Sequence, residues 1–211
     1  VVRMLAEDFG LNAGALEDTG YKIASRTEDN KSLFDIIQNA LDETLKATTQ
    51  LYVLYDNAGK LTLSNIGNMK LGLVINEDTA GEYDYKSSIA NNTYNKIRLF
   101  REGSDPVTVK SSRTIMQWGV LQYAEKVNDD STNLNNMAAS LLKLYNTKTR
   151  TLSVKNVLGD TRVRAGTLLV VILGLGDMNV SNFMLVESVK HSFKDGQHLM
   201  ELKLRGGTFV T

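Results

Sequence analysis

The sequence predicts an α+β protein in which a small helix-and-hairpin unit precedes a mainly β region. Residues 32 to about 47 have the periodicity of an amphipathic helix with a capping signal at its start. Two β-rich runs follow and flank the turn-forming residues 56–59. From residue 83 onwards, short runs rich in β-branched and aromatic residues alternate with turn signals, and one further helix interrupts them. Helical and β-rich regions are therefore segregated along the chain, which is typical of the α+β class.

The composition restricts the classes of protein and partner. The chain has 211 residues, 42% of them hydrophobic, which suits one large or two small globular domains. The 24 Lys and Arg residues balance 24 Asp and Glu residues, so no general basic excess attracts nucleic acid or an anionic membrane. The sequence lacks cysteine, which excludes disulfides and thiolate chemistry. No apolar run approaches the roughly 18 residues of a membrane span.

The first residues already have a helical pattern. Val2, Leu5, Ala6 and Phe9 fall on one stripe of a helix, and Gly10 follows as a stop signal. A sequence that opens in the middle of a helix, without an initiator Met, resembles a fragment. We expect a preceding domain to be missing.

Residues 1–82 are predicted to form the small α+β domain. Ser32 caps the main helix, with Asp35 three residues on, and the apolar face of this helix consists of Leu33, Ile36, Ile37, Ala40, Leu41 and Leu45. In the hairpin, a pairing of Tyr55 with Lys60 would place Leu54 opposite Leu61 and Tyr52 opposite Leu63. Residues 71–75 are predicted to add a strand to this unit, and the polar residues 76–81 are the predicted boundary.

Residues 83–211 are predicted to form a mainly β domain. Ser131 or Thr132 is expected to cap a helix that carries Leu134, Met137, Ala138, Leu141 and Tyr145 and packs across a barrel or sheet. The strands are predicted at residues 83–89, 93–101, 106–110, 120–127, 151–157, 167–173, 183–193 and 198–205.

The only two histidines of the chain lie on the last predicted hairpin. Asp195 and Gly196 are a preferred pair for a two-residue turn with positive φ at both positions. This turn pairs Lys194 with Gln197, Phe193 with His198, His191 with Met200, Lys190 with Glu201 and Val189 with Leu202. One face of the hairpin is then the more apolar, with the members Val189, His191, Phe193, His198, Met200, Leu202 and Leu204. The two histidines are diagonal neighbours on that face.

A metal site at these histidines lacks ligands. Zinc normally requires at least three protein ligands, and the nearest carboxylate on the same face is that of Glu187, beyond Val189. Asp195 lies in the turn itself. We therefore interpret His191 and His198 as structural residues of a folded hairpin.

Other chemical motifs are incomplete. Residues 174–177 (GLGD) follow a strand but lack the Gly-Lys-Ser/Thr of a phosphate loop and the third glycine of a dinucleotide fingerprint. The sequence has no strained Gly-x-Ser-x-Gly elbow, so it does not indicate a serine nucleophile that could act with either histidine. A pair of carboxylates brought together by folding, as glycoside hydrolysis would require, remains a possibility that the sequence does not exclude. Arg162 and Arg164 could bind an anion or a partner carboxylate. The favoured interpretation is that they lie on a short β segment between two strands, with both side chains pointing outward. We predict no catalytic, cofactor-binding or metal-binding residue, and no cofactor.

The order of these segments resembles the baseplate hub proteins of contractile phage tails, of the kind found in PBSX-type defective prophages. Hubs of Mu-like phages, late-control D proteins and type VI secretion spike hubs are related to them. The helix-plus-hairpin match lies in residues 30–63 and is carried by Ser32, Phe34, Ile37, Leu54, Tyr55 and Gly59. Further matching stretches are TYNKIRLFR, WGVLQYAEKV, LLKLYNTKTRTL, GDTRVRAG and the terminal hairpin.

The resemblance implies a structural role without enzymatic activity. Hubs of this family form trimeric rings with two tube-type β-barrels per subunit, which adapt the six-fold tail tube to the three-fold spike and nucleate tail assembly. Residues 83–211 would be the second barrel, with one flanking helix, and the first barrel would be missing. Implied partners are further copies of the hub, the tail tube protein, the central spike and other baseplate or tape-measure proteins. The implied location is a virion or tail-like particle assembled in the bacterial cytoplasm. The alternatives are a fragment of a tail-associated cell-wall hydrolase or endopeptidase, and a peptidoglycan-binding module.

Overall fold

The computed structural model describes residues 1–25, 27–128, 132–175 and 178–206. The described residues form four α-helices and twelve strands in three sheets, which confirms the α+β class. The chain divides into two compact units, each made of two separate segments. Unit 1 comprises Val1–Asn65 and Thr93–Thr147, and unit 2 comprises Ile66–Asn92 and Lys148–Thr211. In the described residues, no helix is long and apolar enough to cross a membrane.

The first segment of unit 1 is the helix-plus-hairpin region. It contains α1 (Val2–Asp8), β1 (Ala13–Leu16), α2 (Leu33–Thr48), β2 (Tyr52–Asp56) and β3 (Leu61–Asn65), with the strands in the order β1-β3-β2. The predicted capping box is confirmed, since Asp35 N–H donates to Ser32 Oγ over 3.2 Å and Ser32 N–H donates to Asp35 Oδ2 over 3.3 Å. The helices pack on the sheet through a core of Val2, Leu5, Ile37, Tyr52 and Leu63.

Two details of this segment differ from the prediction. Phe9, expected on the buried stripe of α1, is 59% exposed. The register of the β2–β3 hairpin was predicted wrongly, because Leu54 lies opposite Leu63 and Asp56 lies opposite Leu61. The turn is a tight one at Ala58 and Gly59, both of which have positive φ, and not a four-residue loop.

The second segment of unit 1 is a three-stranded sheet covered by a helix. It contains β6 (Lys96–Phe100), β7 (Val107–Lys110), α3 (Ser112–Trp118), β8 (Gln122–Lys126) and α4 (Leu134–Tyr145), with the strands in the order β7-β6-β8. Helix α4 packs on this sheet through Leu134, Ala138 and Leu141 against Ile97 and Leu99, so it lies across a sheet as predicted. The cap of α4 is Asn133, whose side chain accepts a hydrogen bond from Asn136 N–H over 3.1 Å. The predicted cap was Ser131 or Thr132, and Ser131 lies outside the described residues. Helix α3 was not predicted.

Unit 2 is a six-stranded, mainly antiparallel sheet curled into half a barrel. Its strands are β4 (Lys70–Asn76), β5 (Glu82–Ser88), β9 (Thr149–Leu158), β10 (Leu168–Leu175), β11 (Met178–Lys194) and β12 (Gln197–Gly206), in the order β4-β10-β11-β12-β9-β5. Strand β4 was expected in the small α+β domain, but it pairs in parallel with β10. Fully buried side chains from five of these strands form the core, among them Ile75, Leu152, Leu169, Val186 and Met200.

The domain boundary stays a prediction. The two compact units are groups of residues with many mutual contacts, and each unit contains residues from both sides of the predicted boundary at residue 82. Whether residues 1–82 and 83–211 are independent domains is a separate property, which a fragment experiment can test.

Candidate functional site

A hydrogen-bonded polar cluster lies where the β11–β12 hairpin meets the connection between β9 and β10. Asp195 and Gly196 have φ of 51° and 75°, so the predicted two-residue turn is confirmed. Every predicted pair of the hairpin is also present, including His191 with Met200 and Phe193 with His198. The register therefore brings the two histidines onto one face as diagonal neighbours.

The histidines contact each other directly. His191 Nδ1 lies 2.9 Å from His198 Nε2, and His191 Nε2 lies 3.0 Å from the carbonyl oxygen of Val163. The Phe193 ring stacks on His198 with centroids 4.1 Å apart and an interplanar angle of 19°. His191, His198 and the Val163 carbonyl form one hydrogen-bonded chain, which we name the histidine clasp.

The clasp has a defined hydrogen-bond direction when both imidazoles are neutral. The Val163 carbonyl can only accept, so His191 must carry its proton on Nε2. Its Nδ1 is then an acceptor, and His198 must donate to it from Nε2. Both neutral histidines are therefore Nε2–H tautomers.

The segment that meets the hairpin is the covering loop, residues 159–167. Val163 is only 1% exposed and anchors the middle of the loop in the core. Gly159 N–H donates to the His198 carbonyl over 2.8 Å, and Gly166 N–H donates to the Val186 carbonyl over 2.9 Å. The loop consists of turns and irregular backbone, so the predicted β excursion here was wrong.

Gly159 lies against the imidazole of His198. A Cβ at this position would overlap the ring atoms Cγ, Cδ2 and Nδ1. Close packing of backbone against the ring therefore requires glycine here.

The two arginines of the covering loop have different surroundings. Arg162 forms a forked pair with Asp160, with Nη2 2.6 Å from Oδ2 and Nε 3.0 Å from Oδ1. These hydrogen bonds lower the pKa of the Asp160 carboxyl from 3.8 to about 2, with further contributions from the Arg162 backbone N–H and the nearby charges. Arg162 thus holds a carboxylate of its own loop. Arg164 instead lines an open cleft of about 470 Å³ together with Thr161, Glu187, Ser188 and His191.

The carboxylate that the sequence placed nearest to the histidines has another partner. Glu187 Oε1 lies 2.8 Å from Arg205 Nε across the hairpin. The register shifts between Val186 and Ser188, so Glu187 occupies a bulge at this point. The Asp160 carboxylate interacts electrostatically with His198, and no sequence pattern associated this residue with the histidines.

The cluster is suited to holding a loop and two strands together. Within the described ranges, no group of three or more His, Asp or Glu side chains could hold a metal ion. Gly176 and Asp177 of the glycine-rich candidate lie outside the described residues. That the chain has no catalytic, cofactor-binding or metal-binding residue stays a prediction.

A second polar cluster lies in unit 1. The rings of Tyr94, Tyr123 and Tyr145 pack together with centroids 5.3–5.7 Å apart. Glu125 accepts a 2.6 Å hydrogen bond from the Tyr123 hydroxyl and a 2.8 Å one from Lys46 Nζ. Burial, and then the hydrogen bond to Glu125, raise the pKa of Tyr123. The cluster joins α2 to β8 and is a packing contact.

The fold is shared with prophage tail proteins. The 43 kDa tail protein of prophage MuSo2 from Shewanella oneidensis superimposes with a TM-score of 0.64 at 14% identity, over 95% of this chain and 63% of that one. The chain belongs to the YqbQ-like family, whose family model matches residues 1–205.

Two curated relatives come from Bacillus subtilis (strain 168). They are the uncharacterized protein YqbQ and the phage-like element PBSX protein XkdQ. Each is 28% identical over 214 residues, which covers 96% of this chain and 63% of the relative. The resemblance to the PBSX type is thereby confirmed. Because the chain spans 63% of the length of these relatives, the role of the whole protein is a proposal.

Proposed function

We propose that this chain belongs to a structural hub subunit in the baseplate of a contractile phage tail or phage-tail-like particle. In this role the hub adapts the six-fold tail tube to the three-fold spike and nucleates tail assembly. The observation that carries the proposal is membership of the YqbQ-like family over nearly the whole chain. The PBSX protein among the relatives and the fold shared with a prophage tail protein support it.

The edges of the large sheet support an assembly role. Among the described strands, β4 and β5 each pair with a single neighbour, so each has one backbone edge without a paired strand. Strand β5 is exposed along most of its length, with Tyr83 45% exposed. Uncovered edges attract further strands, and pairing with neighbouring hub subunits would cover them.

The proposed partners are two further copies of the hub, the tail tube protein, the central spike and other baseplate or tape-measure proteins. The proposed location is the virion or tail-like particle, after assembly in the host cytoplasm. In this role, the interaction free energy comes from buried interface and strand pairing, and no chemical step is involved.

Light scattering of the full-length protein tests the oligomeric part of the proposal. We expect a concentration-dependent trimer. Tyr83→Lys, which adds charge to the β5 edge, should weaken the trimer. Met116→Lys is the matched control, because Met116 is an exposed apolar residue (82%) on helix α3 and belongs to neither edge strand. A strict monomer at high concentration would count against the hub.

Particle assembly in the producing bacterium tests the functional part. Deletion of the gene should prevent formation of complete tails, and the wild-type gene should restore them. The double variant His191→Gln and His198→Gln should still support tail formation. Complete tails after deletion, together with peptidoglycan turnover that depends on His191 or a single carboxylate, would instead favour the hydrolase or endopeptidase. Peptidoglycan binding without turnover would favour the binding module.

A further inference from the structure

We propose that the histidine clasp is a proton-operated latch on the covering loop. It stays closed while the two imidazoles together carry at most one extra proton, and it opens when both are charged. The proposal concerns the conformation of the protein itself and does not depend on the hub role.

The latch follows from counting protons along the clasp. With both rings neutral, His198 Nε2–H donates to His191 Nδ1, and His191 Nε2–H donates to the Val163 carbonyl. One extra proton on His198 Nδ1 leaves both hydrogen bonds in place and makes the bond between the rings charge-assisted. A second proton must go to His191 Nδ1, because its Nε2 already carries one. Two N–H groups and two positive charges would then face each other across the 2.9 Å contact.

The hydrogen-bond geometry determines this order of protonation. In the neutral clasp both nitrogens of His191 are engaged, Nε2 with the Val163 carbonyl and Nδ1 with His198, so the first proton goes to His198 Nδ1. Arg164 and Glu187 both line the cleft beside His191, so the charge that opposes the second proton is that of His198 itself, across the 2.9 Å contact.

The other charged residues of the hairpin lie in ion pairs, at the exposed turn or, like Lys203, on the face opposite to the histidines. Glu187 on β11 is bound to Arg205 on β12. Lys190 and Glu201 form a 3.1 Å ion pair on the opposite face. Lys194 and Asp195 lie at the exposed turn. On β12, the inward neighbours of His198 are Met200 and Leu202, and on β9 Val157 lies opposite Met200. These apolar side chains provide no counter-ion for a second positive charge.

Separation of the rings would release the covering loop locally. Near the clasp, the loop is attached to the hairpin at Gly159, whose backbone packs on the His198 ring and whose N–H donates to the His198 carbonyl. A charged His191 still donates from Nε2 to the Val163 carbonyl, so displacement of His198 is what disturbs the loop. Farther along, Gly166 N–H donates to the Val186 carbonyl and Val186 N–H donates to the Thr167 carbonyl. We therefore expect opening at residues 159–162, while the attachments at the buried Val163 and at residues 166–167 persist.

Amide hydrogen exchange of the intact protein tests the latch between about pH 8 and about pH 4, a window that covers the ordinary charge change of histidine and extends below it for the opposed second proton. After correction for the intrinsic pH dependence of exchange, the Gly159 amide should exchange about fivefold faster or more at the acid end, the factor that corresponds to one lost hydrogen bond. His198→Phe keeps an aromatic ring beside Phe193 but removes the second protonatable group, so the acid-induced increase should disappear. Glu201→Gln removes a titratable group from the opposite face of the same hairpin and should behave as the wild type.

Nitrogen-15 NMR of the imidazoles provides a second measurement that needs no variant. At high pH both histidines should show the Nε2–H tautomer, and on acidification His198 should take the first proton. An Nδ1–H tautomer at His191, or wild-type exchange of Gly159 that does not change with pH, would overturn the latch. Equal acid-induced opening in His198→Phe would overturn it as well.

Discussion

At the residue scale, Gly159 is the position on which the packing of the covering loop against the hairpin depends most closely. Its backbone lies against the His198 ring, and its N–H donates to the His198 carbonyl. Neither contact depends on a turn with positive φ, since Gly159 has an ordinary backbone conformation. Space, and not backbone freedom, determines which residue fits here.

Gly159→Ala is expected to destabilise the protein by about 1–3 kcal/mol, because the added methyl group must displace the His198 ring in a packed site. Urea unfolding of the two proteins measures this difference. Gly72→Ala is the matched control, since Gly72 also lacks a positive φ but a methyl group there meets nothing within 4 Å. In a His198→Ala background, Gly159→Ala should cost less stability than it does in the wild type, because the ring that the methyl group would displace is absent. Equal effects of Gly159→Ala and Gly72→Ala would show that the ring contact is not what matters.

The second residue-scale prediction concerns the Asp160–Arg162 pair. Arg162→Gln should raise the pKa of Asp160 from about 2 towards 3.8, because the main hydrogen bonds to the carboxylate come from the Arg162 side chain. Carbon-13 NMR of the Asp160 carboxyl during a pH titration measures this change. An unchanged pKa would mean that the backbone N–H of residue 162 alone holds the carboxylate.

The Asp160 carboxylate also makes folding stability depend on pH, in a direction that follows from its lowered pKa. The pKa of Asp160 is lower in the folded protein than the ordinary value of 3.8. Its contribution to stability is therefore present above pH 3.8 and is lost as the pH falls towards 2. Because the Arg162 side chain is 71% exposed, solvent screens the pair and the contribution is small.

The residues of the clasp show what sequence can predict at this scale. The pairing of His191 and His198 followed from the Asp195-Gly196 turn, because a two-residue turn fixes the register of every later pair. Val163, Asp160 and Gly159 could not be assigned to the site, because their loop has no periodicity that determines its path. The two glycines of GDTRVRAG were the only local sign of close backbone contact, and they do not specify the partner.

At the element scale, turns and caps were predictable where their chemistry is specific. Ser32 and Asp35 form the predicted reciprocal box at the start of α2. The predicted register of the β2–β3 hairpin was wrong because the two-residue turn requires a positive φ at Ala58, which is 52° in the structure. Positive φ is uncommon for a residue with a Cβ, so the sequence did not indicate a turn at this position. Helix α3 was missed because its seven residues span too few turns for a periodic pattern to be distinguished.

Ser32→Ala is the element-scale prediction. Loss of the side chain that accepts from Asp35 N–H should destabilise the protein by about 1 kcal/mol. Thermal and urea unfolding measure the change. Ser112→Ala is the control, since Ser112 is the first exposed residue of α3 and not its cap, which is Ser111. The two variants should differ clearly, and equal stabilities would show that the box contributes little to the folded state.

At the scale of the whole molecule, the chain builds each compact unit from two segments that are distant in sequence. Strand β4 was assigned to the wrong sheet because its apolar pattern predicts a strand but not its neighbour. That neighbour, β10, lies beyond the whole second segment of unit 1. Non-local parallel pairing of this kind has no signature in local sequence.

The last prediction uses this pairing to test the boundary at residue 82. A fragment of residues 83–211 would lack β4, although β4 pairs with β10 over five residue pairs and supplies the fully buried Ile75 to the core. Its removal would expose the edge of β10 beside Leu169 and Val171, which are fully buried in the intact unit. A fragment of residues 66–211 retains β4 and lacks the same first segment of unit 1, so it is the matched comparison. We expect residues 66–211 to have the higher unfolding temperature and residues 83–211 to aggregate through the uncovered edge, as measured by thermal unfolding and size-exclusion chromatography. Equal stability and solubility of the two fragments would instead show that residues 83–211 fold as an independent domain, with β4 dispensable for the large sheet.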